Sequence, residues 1–368
     1  MLSKSLFKKI SKPFDSSITK QIARTCYNMT YLQKPGSYKR HEVTLIPGTF
    51  IGPEVTNSVR DIFEAAYVPV DFKVLDNFDM ENSSDLKKLQ SNPAILIGNL
   101  GHTGDRYIED IKLYKALDLY VRVMHTMHLP NVKTVFPDVD FVVIKDNVEG
   151  EYSGIEHEVF PGVFESIKKV TQKNSKRLAE YAFEHAYYTG RRKVTCVHKA
   201  NIMKIADGLF LDTCREVSQR FDSIDYEEMI VDNASMQMMS NPQQFDVIVT
   251  TNLYGSILGG IAAGLAGGPG VVAGANFGPE HMMFEQGTRN SGHKITGKDL
   301  ANPTASILSS VNMLRTLNLP RFAELINDAL INVYKRGDCL TEDVGGKAGT
   351  KEFTKAVVQE ISRLDTRR

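Results

Sequence analysis

EVTLIPGTFIGPEVTNSVRDIFEAA, residues 42–66, is the stretch whose reading decides the fold. EVTLIPG (42–48) reads as a strand running into a glycine turn. PEVTNSVRDIFEAA (53–66) reads as a helix, with Pro53 suited to a first helical position and Val55, Val59, Ile62 and Phe63 recurring on one face. The turn holds Gly48 and Gly52 but lacks the GxGxxG spacing that seats a pyrophosphate at a helix N-terminus, so a conventional Rossmann site is not supported; a plain turn is the alternative. VDFKVLD, PAILIG, DFVVIKDN, KVTCVHK, EEMIVDN and DVIVTTN are further strand candidates. Between them lie helical stretches such as SKRLAEYAFEHAYY, DGLFLDTCREVSQRF and NPTASILSSVNMLRTL. Such alternation predicts an α/β chain with a largely parallel sheet.

The chain has 368 residues, 42% hydrophobic and 24% charged, a composition able to bury a large core. No stretch reaches the roughly 18 consecutive apolar residues of a membrane-spanning helix. Lys plus Arg and Asp plus Glu both total 44, which gives no electrostatic reason to expect nucleic acid as the main ligand. The balance conceals an asymmetry: residues 1–40 carry nine basic side chains and one acid, a net charge of +8, which leaves −8 on residues 41–368. The opening MLSKSLFKKISKPF mixes cations, hydroxyls and large apolar residues without a continuous apolar core. This predicts a mitochondrial presequence and matrix location, a basic tail being the alternative. Cys26, Cys196, Cys214 and Cys339 form no CxxC pair and no zinc spacing, so neither a disulfide nor a metal is expected of them.

Six longer strings carry a resemblance: NVEGEYSGIEHE (147–158), TCVHKANIMKIADGLF (195–210), VDNASMQMMSNPQQFDVIV (231–249), TNLYGSILG (251–259), GGPGVVAGANFG (267–278) and ANPTASILSSVNMLR (301–315). In this order they resemble the mitochondrial NAD-dependent isocitrate dehydrogenases, from about His41 to Leu364. The resemblance implies an isocitrate/isopropylmalate dehydrogenase-like fold: two lobes sharing a large mixed sheet, with a clasp. Residues 41–143 plus 277–368 would form the large lobe and 144–276 the small lobe with the clasp, after a presequence and tail over 1–40. Subunits of that family pair through their small lobes. The family's reaction passes hydride from isocitrate to NAD and then releases carbon dioxide, with Mg²⁺ or Mn²⁺. Chemistry of that kind needs several guanidinium groups for the trianion, a carboxylate cluster for the cation, and a Lys and a Tyr to move protons.

The resemblance places Tyr152 and Lys199 at the family's proton-transfer positions, lining one cleft. The substrate clamp is lost: a Ser and three Arg of catalytic chains are replaced by Ile108, Tyr114, Met124 and Lys145, leaving one cation of three. Two lost charge-assisted contacts weaken isocitrate binding by about 3–6 kcal/mol, roughly a hundred- to ten-thousand-fold. Of three metal-binding aspartates Asp232 remains, with Ser256 and Gly260 at the other two positions. The first loop reads Thr49-Phe50 where catalytic chains have Asp-Gly, and the cofactor loop carries Thr288, Arg289 and Asn290. Arg289 and Asn290 match the pattern of the family's regulatory chains, and Asn302 of ANPTA persists; together they suggest a nucleotide site for AMP or ADP. A citrate site in the old substrate pocket is doubtful, because Tyr114 cannot neutralise a carboxylate.

The expected function is therefore a non-catalytic regulatory or structural subunit of a hetero-oligomeric NAD-dependent isocitrate dehydrogenase. Its partner would be a catalytic homologue that holds NAD and Mg²⁺ or Mn²⁺, while this chain binds no cofactor by itself. Lys199 and Asp232 could complete the partner's site across the small-lobe interface. A β-decarboxylating dehydrogenase for a different 2-hydroxy acid, or a purely architectural subunit, remains open.

Overall fold

In the computed structural model, which describes residues 39–79, 82–100, 108–288 and 290–365, the decisive unit is present as β1 (His41–Ile46) and α1 (Gly52–Ala65). Val55, Val59, Ile62 and Phe63 are buried, as their spacing predicts. The two glycines of the turn serve close packing. A Cβ on Gly48 would lie 2.3 Å from the Asn99 carbonyl oxygen, and one on Gly52 would lie 2.4 Å from that of Pro47. The expected presequence falls outside the described residues apart from its last two positions.

The chain continues through β2 (Val70–Val74), α2 (Ser83–Gln90), β3 (Ala94–Ile97), α3 (Ile108–Ala116), β4 (Val121–Met127) and β5 (Asp140–Asp146). A hairpin follows, β6 (Gly150–Phe160) and β7 (Val163–Lys169), then α4 (Gln172–Thr189), β8 (Lys193–His198), α5 (Ala206–Ser218) and β9 (Asp225–Ile230). The remaining elements are α6 (Val231–Ser240), β10 (Val247–Thr250), α7 (Asn252–Ala266), β11 (Ala273–Phe277), β12 (Met282–Gln286), α8 (Thr304–Thr316), α9 (Pro320–Arg336) and α10 (Thr350–Asp365). All six further strand candidates are observed. EEMIVDN ends as a strand at Ile230, however, because Val231 opens α6 and puts Asp232 in its first turn, where the helix dipole favours a carboxylate.

Ten strands form one mixed sheet in the order β2-β1-β3-β12-β11-β4-β5-β10-β8-β9. The outer strands pair in parallel, and three antiparallel pairs, β12/β11, β11/β4 and β4/β5, join the two halves. β3, β10 and most of β5 are buried and apolar, as strands covered on both faces by helices must be. The chain's two ends share one layer: Thr350 and Thr354 of α10 donate to Glu54 Oε1 and Ser58 Oγ of α1, at 2.6 and 2.9 Å. β6 and β7 stand off the main sheet as a separate antiparallel clasp. The reversal in the middle of the sheet matters for function, because open α/β sheets bind ligands at such switch points.

Candidate functional site

β4 and β5 place the former clamp positions at this switch point. The Tyr114 hydroxyl, on α3, donates to Glu285 Oε1 of β12 at 2.9 Å, so the group standing in for a clamp arginine is tied to a carboxylate of the chain itself. The same oxygen accepts from Arg122 Nη1 and, at 2.6 Å, from Asn276 Nδ2. Arg122 Nη2 donates to the carbonyls of Gln286 and Gly287 at 2.8 and 3.0 Å, and only 3% of its side chain is exposed. Arg122, Glu285 and Asn276 were missed in the sequence. The available signal was an arginine inside the apolar strand VRVM, which can be buried only beside a counter-ion.

Lys145 lies opposite Arg122 on the neighbouring strand, and two such like charges would repel unless each had its own acceptors. Its ammonium donates to Asn252 Oδ1 at 2.6 Å and to the Asp146 carbonyl at 3.0 Å, and sits 5.6 Å from the centre of the Tyr152 ring. The surviving clamp cation is thus buried and held inside the fold. Met124 points at α7, where a Cβ on Gly259 would come within 2.9 Å of its Sδ and Cε. Ile108 opens α3, but its side chain is outside the described residues.

The retained proton-transfer residues form two separate pairs. Tyr152, at the root of the clasp, donates to Ser256 Oγ at 3.2 Å, so the tyrosine meets a hydroxyl where a metal-binding carboxylate was expected. Lys199, just after β8, donates through Nζ to Asp232 Oδ1 of α6, and its backbone N–H donates to buried Asp207 Oδ2 at 2.7 Å. The ammonium holds Asp232 below the usual carboxylate range. No hydrogen bond joins the two pairs among the described residues. Ser256 is a neutral hydroxyl, Gly260 has no side chain, and Asp232 is already paired, so these residues do not fit a divalent cation. Among the described residues no group of three His, Cys, Asp or Glu could hold a metal ion.

Two glycines of α7 differ sharply in their surroundings. A Cβ on Gly255 would lie 2.3 Å from Lys145 Cβ, an atom fixed to the strand, whereas one on Gly260 meets nothing within 4 Å. Gly255→Ala is expected to lower stability by about 1–3 kcal/mol. Gly260→Ala is expected to raise it by up to about 1 kcal/mol. Urea unfolding midpoints of the two variants check both signs.

At the other end of the cleft, Phe50 adopts a positive φ of 52°, conformational space that suits a glycine, and packs edge-on against His293 at 5.0 Å between ring centres. A narrow pocket beside it is lined by Asn99, Glu285, Gln286, Thr288 and Asn290. Asn99 Nδ2 donates to Gln286 Oε1 at 2.9 Å and to the Asn290 carbonyl, while Asn99 Oδ1 and Gln286 Nε2 are buried without a partner. The Asn290 side chain donates to Thr288 Oγ1 at 3.1 Å. Asn302 is occupied, donating to Asp343 Oδ2 at 3.0 Å and accepting from the Thr304 amide at the start of α8, also at 3.0 Å. Arg289 lies outside the described residues.

A mixed ten-stranded sheet with a switch-point cleft and a projecting clasp defines the two-lobed dehydrogenase class that the sequence suggested. Residues 42–357 match the family model described as isocitrate/isopropylmalate dehydrogenase. Subunit 1 of the mitochondrial NAD isocitrate dehydrogenase of Schizosaccharomyces pombe is 46% identical over 341 residues, 88% of this chain and 95% of its own. Regulatory subunit 2 of Arabidopsis thaliana is 46% identical (91% and 93% covered), and the human gamma subunit 45% (89% and 86%). Among solved structures, isocitrate dehydrogenase from Methylococcus capsulatus superposes with a TM-score of 0.83 at 37% identity, covering 87% of this chain and 99% of that one. The chain belongs to the isocitrate/isopropylmalate dehydrogenase family.

Proposed function

We propose that this chain is a non-catalytic regulatory or structural subunit of a mitochondrial-matrix NAD-dependent isocitrate dehydrogenase, paired with a catalytic homologue that holds NAD and Mg²⁺ or Mn²⁺. The observation that carries the reading is the fate of the clamp: Tyr114 is tied to Glu285, Met124 is packed on α7, and Lys145 is enclosed by carbonyl oxygens, so none of the three is left to grip a tricarboxylate. The relatives named as regulatory and gamma subunits point the same way. The proposed domain division is a large lobe of 41–143 plus 277–368 and a small lobe with clasp over 144–276, with boundaries that fall within β5 and β11 of the sheet the lobes share.

An exposed apolar face supports the partner half of the proposal. Asp232, Met236 and Met239 follow one another on one side of α6, and Ile257 stands out from α7 beside the bare Gly260. Ile202 and Ile205 extend the face from the loop after Lys199, Ile205 being 90% exposed. Phe160 and Phe164 are exposed at the tip of the clasp. Exposed large apolar residues of this kind are typical of a protein interface. The Lys199–Asp232 pair sits on its edge, where a partner would enclose it. Asn99 Oδ1 and Gln286 Nε2, a buried acceptor and a buried donor on residues that line one pocket with Asn290, support an AMP or ADP effector there. The test is purification of this chain from its source: a catalytic homologue should accompany it in fixed ratio. Recovery as a free monomer with full activity would refute the reading.

A further inference from the structure

Asp207, in the first turn of α5, is fully buried, and a charge so placed is costly unless it is paired. Its two oxygens hold two different parts of the fold. Oδ2 accepts from the backbone N–H of Lys199 at 2.7 Å, and Oδ1 lies 2.7 Å from the ammonium of Lys168, on β7 of the clasp. Lys168 is itself almost buried, its ammonium 4.2 Å from the centre of the Tyr254 ring on α7 and 3.4 Å from Glu151, so Asp207 is the nearer of its two carboxylates. One lysine thus joins the clasp to α5 and α7.

The backbone at Lys199 is fixed on both sides. Its carbonyl accepts from the Ile202 and Met203 amides, each at 3.0 Å, and the next amide, of Ala200, donates to His198 Nδ1 at 3.0 Å. With the main chain held in this way, what stays adjustable is the side chain, whose ammonium is bonded to Asp232. Proton transfer demands such a frame, because a misplacement of about 1 Å costs on the order of a hundredfold in rate. Resting on the reading that Lys199 completes a partner's site, we propose that Asp207 is a positioning residue for that lysine: it fixes the backbone from which Lys199 reaches out, and Lys168 anchors it to the clasp. The clasp and the proton-transfer lysine then share one ionic joint.

Lys168→Met and Asp207→Asn in this chain, each reconstituted with an unaltered catalytic homologue, test the proposal by steady-state kinetics with isocitrate and NAD. Each is expected to lower kcat about tenfold or more and to leave the isocitrate KM within about twofold, because the Lys199 ammonium is kept but misplaced. Lys168→Arg, which renews the ion pair, should return most of the turnover. In a Lys199→Ala background neither change should lower the rate further, whereas general damage to the fold would lower it in both backgrounds. Thermal melting and co-elution with the homologue show which variants are folded and paired; if Lys168→Met is not, its combination with Asp207→Asn leaves no lone buried charge and takes its place. An unchanged kcat for both variants where Lys199→Ala slows the pair, a further loss in the Lys199→Ala background, or a rise in KM alone would overturn the proposal. If Lys199→Ala itself has no effect, the reading beneath the proposal falls, and the proposal with it.

Discussion

Lys199→Ala in this chain, reconstituted with an unaltered catalytic partner, is expected to lower isocitrate turnover by about 10²–10⁴-fold, the usual contribution of a positioned proton-transfer group. Lys199 is bonded to Asp232, whose side chain is 70% exposed, and the two lie beside the apolar residues Ile202, Ile205 and Met236. A partner covering that face would exclude water and strengthen every charge interaction there. Lys199→Arg should keep the charge, and with it most of the Michaelis constant, but not the turnover, because a guanidinium does not give up its proton. If Lys199→Ala leaves both rate and Michaelis constant unchanged, the residue does not complete the partner's site, and the chain acts through contact or effector binding alone.

Glu285→Ala is expected to destabilise the chain by about 3–5 kcal/mol, because it strips the carboxylate from an almost fully buried guanidinium. Tyr114 and Asn276 lose their acceptor in the same step. Replacing both charges, as in Arg122→Met with Glu285→Leu, should recover most of the loss, since an apolar pair of similar volume avoids the desolvation of two ions. Urea unfolding midpoints separate the outcomes. A loss below about 1 kcal/mol for the single variant would mean that Arg122 finds water or another acceptor.

The parallel strands were legible because each is a short apolar run bounded by turn residues, and the helices because residues such as Val55, Val59 and Ile62 repeat at helical spacing. β4, β11 and β12 were not legible: VRVMHTM carries an arginine and a histidine, AGANF a glycine and an asparagine, and all three depend on sheet neighbours for their conformation. At the site, the losses at Tyr114, Met124, Ser256 and Gly260 could be read residue by residue. What replaced them could not, because Tyr114 and Glu285 are 171 residues apart and Lys145 and Asn252 are 107. The partners of Tyr152 and Lys199 were hidden for a similar reason. Each found its partner at an emptied or surviving metal position, Ser256 and Asp232, and only the packing of α6 and α7 shows which went where.

On the proposed function, this chain lacks a working active site of its own and serves that of a partner. The most direct measurement is the rate of NADH formation by the purified chain, free of other dehydrogenase subunits, with saturating isocitrate, NAD and Mg²⁺, before and after addition of a catalytic homologue. No isocitrate-dependent NADH from the chain alone, and turnover by the pair above that of the homologue alone, is the predicted result. Saturable NADH formation by the isolated chain would contradict it.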